Sequence, residues 1–228
     1  MKEMMKSWRH VFKLDPDREL DDRSLDAVCM SGTDAIMVGG SSGVTYENTI
    51  DLLSRVRHYE LPCVQEVSDM ESIVPGFDLY LIPMVLNSSN PAWIVGHQQQ
   101  AIERFGYLIP WELLVTEGYI VLNADSTVAQ LTDAYTELEP LGVVAYAQVA
   151  DKLMSLPIVY LEYSGTYGDM ETVRAVHEEL EDAQLIYGGG IKDLHTAQQA
   201  AAVSDTIVVG NIIYENLEQA LQTVQVVK

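Results

Sequence analysis

Tyr187-Gly188-Gly189-Gly190-Ile191 and, about twenty residues later, Val208-Val209-Gly210-Asn211 decide how this chain is read. Each closes a short apolar run (residues 184–187 and 206–209) and opens a segment with helical spacing. Glycine lets backbone N–H groups approach a ligand closely. Unpaired N–H groups and the helix dipole at a following helix start both favour an anion. In (β/α)₈ barrels a phosphate is frequently held after strands 7 and 8. The pair therefore suggests both a fold and a ligand class.

Outward from these loops, apolar and β-branched runs recur at 11–14, 35–38, 63–67, 79–82, 119–122, 158–161, 185–187 and 206–209. They are continuously apolar, as strands of a buried parallel sheet should be. Helical patterns lie between most of them. Asp169 is placed to cap a helix with Val173, Val176 and Leu180 on one face. Asn90-Pro91 reads as an N-cap followed by proline at the first helical position. Eight strands with helical connections in 228 residues, without a linker, predict one α/β domain over residues 1–228, a modified TIM (β/α)₈ barrel. A doubly wound sheet is the alternative. One crossover breaks the pattern. Only residues 68–78 separate the third strand from the fourth, too few for a full helix. The third helix should be reduced or absent, leaving an uncovered barrel flank.

Composition narrows the partners. The formal net charge of −21 opposes nucleic acid and acidic membranes as general partners. An anionic substrate must then be held by local N–H donors, a few cations or a metal ion. Cys29 and Cys63 lie far apart in apolar stretches and read as reduced core residues. The first seven residues lack the apolar segment of a signal peptide, and no run is long enough to span a bilayer. A cytoplasmic protein is expected, and Asn87-Ser88-Ser89 reads as a chance sequon.

Polar residues gather where a barrel keeps its chemistry, at strand C-termini. Lys13 and Asp15 follow the first strand, two apart and so on one side of an extended chain. They read either as site residues or as a structural ion pair. After the second strand comes Gly39-Gly40-Ser41-Ser42-Gly43, an anion or metal loop or a plain tight turn. The sixth strand runs into Tyr160-Leu161-Glu162-Tyr163-Ser164-Gly165-Thr166-Tyr167-Gly168, where Glu162 sits in a hydroxyl-rich loop unusual for a solvated carboxylate. Asp15 with the Ser41 loop could hold a hard cation through oxygen ligands.

These segments resemble the bacterial heptaprenylglyceryl phosphate synthases (PcrB-type) of the wider geranylgeranylglyceryl phosphate synthase family. The resemblance lies in 8–16, 33–40, Tyr160 to Gly168, Tyr187 to Ile191 and Val208 to Asn211, with 75–78 and 85–88 extending it over nearly the whole chain. It implies a TIM barrel with an altered third helix. It also implies an Mg²⁺-dependent prenyltransferase that moves a heptaprenyl (C35) group from its diphosphate to the C3 hydroxyl of sn-glycerol 1-phosphate. By motif position, Lys13, Tyr160, Leu161, Glu162, Tyr163, Ser164, Gly165, Gly190, Gly210 and Asn211 would bind glycerol 1-phosphate, while Asp15 and Ser41 would bind Mg²⁺. Glu162 is the only carboxylate in its loop that could accept the hydroxyl proton as catalytic base. The family implies a homodimer, to which the region of Ile94 and Phe105 is a candidate contributor. Transient membrane contact is compatible with lipid-soluble substrate and product, although no transmembrane segment or basic amphipathic helix is present. The same reaction with a geranylgeranyl (C20) donor, a phosphosugar isomerase or aldolase barrel, and a non-catalytic phosphate-binding scaffold are the competing readings.

Overall fold

The computed structural model describes residues 2–227. After a short helix, α1 (Lys2–Met5), eight strands form a closed, wholly parallel barrel in sequence order. They are β1 (His10–Leu14), β2 (Ala35–Val38), β3 (Cys63–Glu66), β4 (Leu79–Val85), β5 (Leu114–Val121), β6 (Ile158–Glu162), β7 (Gln184–Gly188) and β8 (Thr206–Val209). The last strand pairs with the first, with Val11 opposite Val208. Closure removes both sheet edges and rules out the doubly wound alternative.

Crossovers are α2 (Asp22–Cys29), α3 (Tyr46–Val56), α4 (His97–Phe105), α5 (Thr127–Thr132), α6 (Pro140–Gln148), α7 (Met170–Glu179) and α8 (Leu194–Ala201). The short α9 (Ile212–Glu215) and α10 (Leu217–Thr223) follow β8. The helices start where side-chain oxygens meet their free N–H groups. Asp21 caps α2, Thr45 and Asn48 form a capping box on α3, and Asp169 caps α7. Each such cap stabilises by about 1 kcal/mol. Asn90 accepts the Ala92 N–H at the helical turn leading into α4, as its sequence position predicts.

Two-residue alternation sorts the strands into two layers. Val11, Met37, Val64, Leu81, Tyr119, Tyr160 and Ile186 fill the barrel interior. Phe12, Ile36, Cys63, Ile120, Leu161, Leu185 and Val209 face the helices. Leu161 and its fully buried neighbours make that outer layer costly to open, about 2–5 kcal/mol for a Leu→Ala change. Both cysteines are buried and free. Asn87 is buried too, its amide donating to the carbonyls of Val121 and Tyr135, so the sequon is a structural turn.

The short third crossover contains only a 3₁₀ turn, Met70–Ser72. The flank is not bare, however, contrary to expectation. Val74 and Phe77 bury themselves in the outer layer. The Gln65 amide donates to the Ser72 carbonyl and accepts the Val74 N–H, and Tyr80 Oη donates to the Val74 carbonyl. A loop with its own apolar anchors replaces the helix. Exposed strand surface lies instead at Ile82, Pro83 and Met84 of β4, which are only partly covered.

At the foot of the barrel, polar groups tie the chain ends together. The Arg9 guanidinium donates to the carbonyls of Ala201, Ser204 and Asp205. The His10 ring lies between the hydroxyls of Thr33 (2.9 Å) and Thr223 (2.8 Å).

Candidate active site

The C-terminal mouth of the barrel collects the expected residues. Lys13, on β1, points inward, and its Nζ donates to Glu66 Oε2 at 2.5 Å. Asp15 lies just past the strand end and turns toward the rim, so the two do not form a structural ion pair. Burial alone would lower the Lys13 ammonium, but the carboxylates of Glu66, Glu162 and Glu117 outweigh it and hold the group above its ordinary value.

Glu162 ends β6 facing the interior. Its Oε2 accepts the Tyr119 hydroxyl at 2.8 Å and its Oε1 accepts the Ser164 N–H at 2.6 Å. These bonds fix the carboxylate and leave lone pairs on both oxygens for a substrate hydroxyl. Tyr160 stacks on Tyr119 with ring centroids 4.7 Å apart. Its hydroxyl lies near Glu162 without hydrogen-bond geometry and fits against Gly188, where a side chain would collide with it. Burial, then the negative charge of Glu162, pushes both phenols well above their ordinary value.

Not every residue of the 160–165 segment faces the site. Leu161 points into the helix layer, and Tyr163 packs toward Tyr187, with centroids 5.8 Å apart. Ser164 bends the loop inward with a φ of 24°, its carbonyl accepting the Asn123 amide. Gly165 is exposed beside Asn211 Nδ2.

The two glycine loops differ. Gly189 (φ 133°) and Gly190 (φ 61°) have left-handed backbones and pack against the Tyr163–Tyr167 segment. A side chain at Gly189 would begin 2.5 Å from Tyr163 Cβ, and one at Gly190 would overlap the Tyr167 N–H. The N-terminus of α8 is already capped by the chain's own Asp193, which accepts the Thr196 N–H at 2.8 Å. Any anion in this loop must therefore meet its backbone before α8. Gly210 is open, with the Lys13 carbonyl its nearest neighbour at 3.6 Å from where a side chain would start.

Beside Gly210 the structure adds residues that the sequence reading missed. Arg18 donates to Asn211 Oδ1 at 3.1 Å, and its guanidinium stacks 3.8 Å above the Tyr214 ring. Tyr214 Oη in turn accepts the Asp15 N–H at 2.9 Å. Arg18 is thus a preorganised cation beside Gly210 and Asn211. Its only sequence signal was a basic residue within the Asp-rich run 15–22.

Asp15 and the Ser41 loop adjoin through Gly40. A side chain there would begin 2.5 Å from Asp15 Oδ1, so only glycine lets that carboxylate pack against the loop backbone. Asp17 rests similarly on Gly43. Burial raises the Asp15 carboxyl above its ordinary value, although the Asp17 N–H bonded to it opposes the shift. Among the described residues no three His, Cys, Asp or Glu side chains gather as a metal cluster. A part-buried carboxylate beside a serine-bearing loop is an oxygen donor set of the kind Mg²⁺ accepts, since Mg²⁺ keeps several waters and takes further oxygens from substrate phosphates.

Glu66 and Glu117 were not anticipated either. Glu66 is Lys13's partner, and Glu117 on β5 is fully buried.

An eight-stranded parallel barrel with an open glycine after its last strand, Arg18 bonded to the neighbouring Asn211, and a fixed carboxylate inside the mouth puts this chain in the (β/α)₈ class, with its polar side chains gathered at the C-terminal end. The chain belongs to the PcrB family, whose model matches residues 3–228. A heptaprenylglyceryl phosphate synthase from Bacillus cereus is 54% identical over 97% of this chain and 96% of its own. Among solved structures, a GGGPS from Thermoplasma volcanium is 26% identical, covers 98% of this chain and 95% of its own, and superposes with a TM-score of 0.84. The (S)-3-O-geranylgeranylglyceryl phosphate synthase from Thermoplasma acidophilum, solved with sn-glycerol-1-phosphate, is 24% identical at a TM-score of 0.86, covering 100% and 96%. That last likeness concerns the fold.

Proposed function

We propose that this protein transfers a heptaprenyl group from its diphosphate to the C3 hydroxyl of sn-glycerol 1-phosphate, forming an ether and releasing diphosphate. The observation that carries the reading is the relative named heptaprenylglyceryl phosphate synthase, 54% identical over nearly the whole of both chains. The site geometry fits the chemistry. The open Gly210 backbone, Asn211 and Arg18 hold the acceptor's phosphate, while Glu162 lies inside the mouth where the hydroxyl would reach. The bond from C3 oxygen to the allylic carbon forms as the bond from that carbon to the diphosphate oxygen breaks. The hydroxyl proton passes to Glu162. Fixing both reactants in the barrel mouth supplies most of what such a step needs, because an allylic carbon tolerates developing positive charge.

Asp15 and Ser41 would hold Mg²⁺ at the donor's side. A bound Mg²⁺ stabilises the charge that develops on the departing diphosphate. The region of Ile94 and Phe105, themselves half-buried, carries exposed Val95, Ile102, Tyr107, Leu108 and Trp111 on and after α4, which supports a homodimer as part of the same reading. Among the described residues no helix is long and apolar enough to cross a membrane.

The test supplies glycerol 1-phosphate, heptaprenyl diphosphate and Mg²⁺ and follows ether product, with geranylgeranyl diphosphate in competition. Heptaprenyl ether formation that stops on chelation is expected. Absence of any ether product would reject the reading, and preferential use of the C20 donor would correct the chain length.

A further inference from the structure

The barrel interior holds more charge than the proposed chemistry uses. Lys13 (β1), Glu66 (β3), Glu117 (β5) and Glu162 (β6) all turn inward, with the phenols of Tyr119 and Tyr160 beside them. Glu162 has both oxygens bonded, and Glu66 binds Lys13 through one. Glu117 is 0% exposed, and neither of its oxygens has a hydrogen-bond partner in the protein. It also lies deep. On β5 it precedes by four residues the Val121 that pairs with Glu162, so it lies deeper in the barrel than Glu162.

An ionised carboxylate buried without a donor is strongly disfavoured. Two further carboxylates nearby add repulsion, and a single ammonium, already bonded to Glu66, cannot balance three. We propose that Glu117, held as a neutral carboxyl, is a positioning residue that leaves the Lys13 ammonium on Glu66, with N–H donors free for the acceptor's oxygens. The inference rests on the prenyltransfer reading of the site. Its physical content is a competition. An ammonium has three N–H donors, and Glu66 takes one. An ionised Glu117 would claim another, drawing Nζ toward β5 and leaving fewer donors for the substrate. Burial, then the charge of Glu66, raises the Glu117 carboxyl well above its ordinary value against the opposing pull of Lys13, consistent with the neutral form.

Two measurements test this. Infrared difference spectra of the wild-type protein at neutral pH should show the carbonyl band of a protonated carboxyl, shifted by deuteration and perturbed when glycerol 1-phosphate binds. That band should vanish in Glu117→Gln. In steady-state kinetics, the wild-type KM for glycerol 1-phosphate should climb about tenfold per pH unit above the Glu117 pKa, as ionisation of one group requires. The Glu117→Gln variant should lose that alkaline rise. Absence of the band, its indifference to glycerol 1-phosphate, or an alkaline rise unchanged in the variant would each overturn the proposal. If the variant does not fold, the ligand response of the wild-type band decides. Ether synthesis with a KM flat in pH would sink this inference and leave the prenyltransfer reading intact. No ether synthesis at all would sink that reading, while the band would still report on Glu117.

Discussion

At the foot of the barrel Arg9 satisfies three carbonyls and both nitrogens of His10 meet threonine hydroxyls. At the interior end of the mouth, Glu66 Oε1, both oxygens of Glu117 and Tyr160 Oη have no protein partner although all are buried. Buried polar atoms are ordinarily paired, so the contrast is informative. The foot spends its polar groups on closing the barrel. The mouth keeps its own in reserve at an energetic cost, which is the arrangement expected when chemistry sits at strand C-termini. Changes at the two ends should therefore separate activity from stability.

The largest effect should come from Glu162→Gln, which removes the proposed base. We expect kcat to fall on the order of 10²–10⁴-fold with the melting temperature nearly unchanged. Wild-type-like turnover in that variant would remove Glu162 from the chemistry.

At the foot, burial lowers the His10 pKa to about 3 from 6.5. Above 6.5 the ring is neutral in both folded and unfolded states and contributes no pH dependence. Below it the unfolded chain takes up the proton first. Stability should then fall by about 1.4 kcal/mol per pH unit until the folded-state value is reached. Denaturant unfolding at a series of pH values should show this slope, and His10→Gln should make it shallower by one proton. An identical slope in the variant would break the contrast at the foot.

The smallest effect expected is at the rim. Arg18→Met should raise KM for glycerol 1-phosphate about tenfold, the worth of one charge-assisted hydrogen bond, with kcat and stability little changed. A loss of stability instead would make Arg18 a structural residue like Arg9.

Much of the barrel was legible because both faces of its strands are buried. β2 and β8 have the bounds that their apolar runs predict, and the short third crossover follows from counting residues. β5 was read as beginning at Tyr119 because Glu117-Gly118 interrupts its apolar run. In the structure β5 begins at Leu114. Gly118 is there because Ala150 packs where a side chain would be, and Glu117 because the interior is charged at that level. β4 likewise runs through Pro83 to Val85, three residues beyond the apolar run 79–82. Of the site, Glu162 and the Asp15–Ser41 adjacency were readable from motif. Glu66 and Arg18 were not, since their partners are 53 and 193 residues away along the chain, and Glu117 was not, since it has no hydrogen-bond partner at all. The glycines of 188–190 read as ligand-facing, but their conformation and packing against another loop have no sequence signature.

That packing has a consequence for anyone who would rebuild this enzyme. Gly189 and Gly190 fit the 163–167 loop as a key fits one lock, and the same loop delivers the Ser164 N–H to Glu162. The two loops are therefore a single transferable module. A graft that carried either loop alone into another barrel would lose the alignment of the Glu162 carboxylate, whereas moving both together would preserve it.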